Sequence, residues 1–113
     1  MGIEHEGLRG RVFAADLVRD EYYPDGPVAL LQGVLVRLCE RIEAERPADL
    51  ESLYALTEAA TEEINELQDA FWDAGSEIET VARDSIATEV ELIAHSYGFA
   101  EADLEEMLAL RDW

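Results

Sequence analysis

At 113 residues the chain is long enough for a single domain to bury an apolar core unaided, and its 49% hydrophobic content is that of a folded protein. Its 27 acids face 8 arginines and no lysine, a net charge of −19 that repels nucleic acid and anionic lipid and excludes any lysine-based catalysis. No apolar run approaches the ~18 residues of a membrane span, the start MGIEHEGLRG lacks a signal-peptide pattern, and Cys39 has no disulfide partner, so a cytoplasmic protein is expected.

Residues 1–7 carry no apolar period and are expected to be flexible, ahead of a single domain spanning the chain. The first helical segment is predicted from Leu8 to Asp20, with Leu8, Val12, Phe13 and Leu17 inward. It stops at YYPDGP, where Pro24 disfavours helix at Tyr23 and Asp25-Gly26 supply a turn.

The second helix is predicted from Pro27 to Arg46, because Val28, Leu31, Leu35, Leu38 and Ile42 recur at spacings of three and four. Gly33 sits inside it at a cost of about 1 kcal/mol, for which close helix packing is the expected compensation. After Pro47, a third helix from Asp49 carries the longest stripe: Leu50, Leu53, Thr57, Ala60, Ile64, Leu67 and Phe71. Gly75 should end it. Ser76 with Glu79 then reads as an S-x-x-E capping box opening a fourth helix, whose inner face is Ile78, Ala82, Ile86, Val90, Ile93 and Tyr97. Gly98 ends that helix, and a short fifth segment near Ala100 to Leu110 covers the core with Leu104, Met107 and Leu108 while Trp113 docks on it. The predicted fold is all-α: an antiparallel up-down bundle of three long helices with short N- and C-terminal helices.

The charge is unevenly distributed. Residues 1–46 hold six arginines and nine acids, whereas residues 47–113 hold two arginines and eighteen acids. In the third helix Glu58/Glu62, Glu62/Glu66 and Asp69/Asp73 are like-charge pairs four apart, each opposing the helix by about 0.2 to 0.5 kcal/mol. Arginines of the first two helices, or salt, could offset this row; alternatively Glu58, Glu62, Glu66, Asp69 and Asp73 form a docking face for a basic protein. Arg83, the only base between Pro47 and Leu110, is expected to pair with Glu79 or with an acid on a neighbouring helix.

Signals for chemistry are weak. A carboxylate di-metal centre needs Glu-x-x-His motifs, whereas Glu91 and His95 are four apart, so neither a metal nor a cofactor is expected. Cys39 lies beside the apolar stripe and reads as a buried, inert thiol. The aromatics cluster at predicted helix ends, which meet in space, and Tyr22, Tyr23, Trp72, Glu79, Arg83 and His95 are the candidates for a polar pocket. Ser85, Ser96, His95 and Glu91 share the fourth helix, but no arrangement of them on one helix gives a nucleophile, base and oxyanion hole, so no catalytic residue is assigned.

The stretch from Cys39 to Ile86, with its GSEIET string, followed by AHSYGF and the closing RDW, resembles a bacterial domain-of-unknown-function family of small helical proteins. The resemblance covers nearly all of residues 20–113 and implies a single bacterial cytoplasmic domain. It carries no catalytic or binding residue across. The expected function is a non-enzymatic module whose acidic surface engages a basic protein, in the manner of an immunity, antitoxin or nucleic-acid-mimic protein. The alternative is a small-molecule binder or modest enzyme with a polar pocket between helices. A monomer and a homodimer are both compatible with the stripes.

Overall fold

The computed structural model describes residues 2–113, and within them every regular element is a helix. There are six: α1 (Glu6–Arg9), α2 (Ala15–Arg19), α3 (Asp25–Glu45), α4 (Leu50–Asp73), α5 (Thr80–Ser96) and α6 (Leu104–Met107). Three are long, and none is long and apolar enough to cross a membrane.

The segment predicted as one helix from Leu8 to Asp20 is two short ones. Gly10 closes α1, and Ala14 takes a left-handed conformation, φ 55°, before α2. That conformation costs an L-residue roughly 1 to 2 kcal/mol. It is held in place because the buried Ala14 amide donates to Glu89 Oε2 at 2.7 Å. The break turns Phe13 and Leu17 inward and leaves Val12, expected in the core, 58% exposed. Residues 2–7, expected to be flexible, are tethered: the Gly2 amide donates to Glu40, and the Glu4 and His5 amides donate to Glu43. Met1 lies outside the described residues.

The long helices follow their apolar stripes. Leu31, Leu35 and Leu38 of α3, Leu53, Ile64 and Phe71 of α4, and Ala82, Ile86 and Ile93 of α5 are all buried in one core. Burying a side chain of the Leu, Ile or Phe size contributes about 1.5 to 3 kcal/mol, which outweighs the modest propensity costs within each helix. Asp49 caps α4 by accepting from the Ser52 amide at 2.8 Å. Gly33 has no close helix neighbour, for a Cβ there would meet only Arg37 Nη1 of its own helix, at 3.3 Å.

Both predicted glycine stops are present. Gly75 (φ 82°) and Gly98 (φ 92°) are left-handed, and the amides after them, of Ser76 and Phe99, return to Phe71 and Ala94 carbonyls at 2.8 and 2.9 Å. This closure removes the expected capping box. Ser76 is committed to ending α4, its buried hydroxyl has no partner, and α5 begins only at Thr80 with Glu79 in the cap position and no side-chain cap.

The C-terminal segment is tied to α4 by polar side chains. Thr61 Oγ1 donates to the Met107 carbonyl at 3.1 Å and Asn65 Nδ2 to that of Leu110 at 2.9 Å, while Asn65 Oδ1 accepts from the Asp112 amide at 3.0 Å.

Candidate functional site

Six acids of α4, Glu51, Glu58, Glu62, Glu66, Asp69 and Asp73, fall within an arc of about 80° at 3.6 residues per turn, opposite the buried stripe. They span about 33 Å at 1.5 Å per residue. Glu58 is half-buried and the rest are exposed. The arginines expected to neutralise this row do not reach it. Arg37 and Arg41 both pair with Glu63, at 2.9 and 3.0 Å, on the flank of α4 that meets α3. Among the described residues, the four ion pairs leave all six carboxylates unpaired.

At the N-terminal end of this face α6 brings Glu106 beside Glu51 and Glu58. With Tyr54 and Ala55 they line a depression of about 440 Å³. The Tyr54 hydroxyl accepts from the Asp103 amide at 2.9 Å, which fixes the ring against the C-terminal segment. Three carboxylates around one aromatic ring suit a Lys or Arg side chain, by charge and by cation–π attraction. Glu51 and Glu106 were not singled out from sequence, since Glu106 arrives only through the packing of α6.

The predicted pocket residues do not converge. Tyr22, Tyr23 and Glu79 line one shallow hollow, where the two tyrosine rings meet edge to face at 4.8 Å and Tyr23 packs on Phe71. Loss of water, then the Glu79 carboxylate, pushes the Tyr22 hydroxyl above the ordinary tyrosine value. Arg83 lies on a different cleft, Trp72 is 53% exposed, and His95 is exposed at the end of α5. Nor, among the described residues, does Arg83 form the expected ion pair; its guanidinium donates to Thr80 Oγ1, at 3.3 Å.

Two polar clusters were not anticipated. Glu89 of α5 is 3% exposed and accepts from Arg11 Nη2 at 2.5 Å, Arg11 Nε at 3.3 Å and the Ala14 amide. Ser85, one turn earlier, donates to Asp16 Oδ1 at 2.7 Å. These bonds fasten the α1–α2 connection onto α5. At the other cluster the Glu43 carboxylate accepts from the Tyr97 hydroxyl and from the Glu4 and His5 amides. Burial alone would push that carboxyl up, but the Tyr97 hydroxyl and the two amides hold it below the ordinary carboxylate value. His5 Nε2 donates to the Ser96 carbonyl at 2.9 Å while Nδ1 accepts from the Gly7 amide at 3.0 Å. Every one of these groups is consumed in holding the N-terminal segment. Cys39, behind Tyr97, is fully buried, and desolvation pushes its thiol up to about 12, away from the thiolate form.

No group of three or more His, Cys, Asp or Glu side chains among the described residues has the geometry of a metal site. No curated protein and no solved structure matches the chain. A family model does match, over residues 8–113, which takes in the architecture described above from the middle of α1 onward, and the chain therefore belongs to that family of unknown function (DUF5713).

Proposed function

We propose that the chain is a protein-interaction module whose outer α4 face docks a basic protein partner through Glu58, Glu62, Glu66, Asp69 and Asp73, extended by Glu51 and Glu106. The observation that carries this reading is the contrast within one helix. Glu63 takes two arginines, whereas the carboxylates around it on the outer face take none. Three like-charge pairs four apart are thus left to oppose the helix, and a cationic partner would convert each repulsion into attraction. A field of one sign also speeds encounter with a basic partner and penalises acidic ones.

In this reading the three long helices run as an antiparallel up-down bundle: the Tyr23–Phe71 and Arg37–Glu63 contacts support α4 running against α3, and Tyr23 beside Glu79 with Glu43 bonded to Tyr97 supports α5 running along α3. That arrangement gives the acidic face a rigid backing. A cytoplasmic setting fits a single buried thiol.

The test is calorimetric titration with an oligoarginine peptide from about 10 mM to about 1 M salt, a range over which the screening length falls from about 30 to about 3 Å. Two variants are compared: one neutralising Glu58, Glu62, Glu66, Asp69 and Asp73 to Gln or Asn, the other neutralising Glu6, Glu21, Glu77, Glu91 and Glu101. Both remove the same charge. The account expects the α4 variant to lose at least about tenfold in affinity, or about 1.4 kcal/mol, and the control variant to lose much less. Equal losses would show that total charge, rather than this face, attracts the peptide.

A further inference from the structure

Residues 47–113 contain only two arginines, Arg83 and Arg111, among eighteen acids, and both line one cleft between α5 and the C-terminal segment. The cleft encloses about 270 Å³. Leu104, Leu108 and Trp113 form apolar walls, and Asp84 and Glu105 stand at its polar side. The segment that carries Arg111 and Trp113 is held in place, since Asn65 bonds both the Leu110 carbonyl and the Asp112 amide.

Three donors here are weakly engaged within the chain, two of them the guanidiniums of the exposed Arg83 and Arg111. Arg83 reaches no carboxylate. Arg111 has only Glu105, at 3.9 Å, whose side chain is 81% exposed. The Trp113 indole Nε1 is buried without any hydrogen-bond partner, and buried donors are rarely left so. Arg9, Arg19 and Arg46 likewise form no ion pair among the described residues, so what distinguishes Arg83 and Arg111 is that they share one cleft with a buried, unpartnered indole N–H.

We infer that this cleft binds a small organic monocarboxylate with an apolar body. The carboxylate displaces the loose Glu105 contact and bridges Arg83 and Arg111, while the body lies against Leu104, Leu108 and the Trp113 ring. A slight turn of the indole would offer its N–H as a third donor. Asp84 sets the charge limit, since a second negative group on the ligand would be placed against it. A pocket with apolar walls and a few convergent polar groups is the ordinary form of a small-molecule site.

The experiment is a titration of the full chain with phenylacetate, followed by ¹⁵N NMR at the Trp113 Nε1–H and the Arg83 and Arg111 Nε–H signals. The expected result is saturable shifts of these three signals with a millimolar or tighter dissociation constant. Phenylacetamide, the neutral counterpart, should produce none of them. Arg83→Gln, with Arg111→Gln as a second variant should the first lose its native spectrum, should weaken phenylacetate by about tenfold or more. Absence of saturation up to tens of millimolar, equal shifts with phenylacetamide, or shifts confined to Arg37 and Arg41 would each overturn the proposal.

Discussion

Neighbouring positions on α4 should respond with opposite sign to the same chemical change. Glu62 is exposed, has no cation within ion-pair reach among the described residues, and faces Glu58 one turn before and Glu66 one turn after. Glu62→Gln removes two like-charge pairs and should stabilise the protein by about 0.4 to 1 kcal/mol at low ionic strength. Glu63→Gln removes the bonds from Arg37 Nη2 and Arg41 Nη1. With the Glu63 side chain 27% exposed, each pair is worth about 0.2 to 1 kcal/mol, so a loss of about 0.5 to 1.5 kcal/mol is expected. Urea denaturation, which leaves ionic strength free to vary, reads both. At about 1 M salt the two effects should shrink together, because charges on the surface are then screened beyond about 3 Å. If Glu62→Gln destabilised the protein at low salt, that carboxylate would have a favourable partner, and the unpaired face would not exist as described.

Three further outcomes follow from the same contacts. Glu89→Gln replaces a buried carboxylate that serves both Arg11 and the Ala14 amide, and should cost about 2 to 4 kcal/mol in urea; a loss below about 1 kcal/mol would mean that this network does not hold the α1–α2 connection. Because Glu43 is held below its ordinary value in the folded chain, its contribution is full above the unfolded value of about 4.3 and is lost as pH falls through the lower folded value. The Glu4 and His5 amide signals should therefore titrate with a midpoint below about 4.3, and Tyr97→Phe should raise that midpoint. Cys39 should resist a thiol reagent at mildly alkaline pH in the native protein and react at once in urea, whereas rapid native modification would contradict its burial.

What sequence made legible was the part of the fold governed by short-range period. The three-four spacing of α3, α4 and α5 identified nearly every buried Leu and Ile, and Gly75 and Gly98 marked two stops because only a left-handed residue lets the next amide turn back. Where one residue faced two demands, the reading failed. Ser76 was assigned to a cap, yet its amide closes α4 and its side chain is carried inside. Gly10 was passed over within an apparent helix, and the error propagated to Val12. Glu89 did leave a signal: it lies three after Ile86 and four before Ile93, an acid in phase with the core of α5. Its partner, Arg11, comes from 78 residues away in a loop, and no local pattern announces it. The five acids of α4 were visible as a row, but their lack of partners was not. Arg83 and Arg111 likewise meet on one cleft through the packing of the tail, which Thr61, Asn65 and Gln68 fasten to α4.

The central claim is that one helical face, rather than diffuse negative charge, receives a basic partner. Amide mapping by ¹⁵N NMR during addition of an oligoarginine peptide tests it most directly. The account predicts shifts concentrated at Glu51, Glu58, Glu62, Glu66, Asp69, Asp73 and Glu106. Shifts of equal size scattered over exposed acids such as Glu6, Glu21, Glu91 and Glu101 would contradict it.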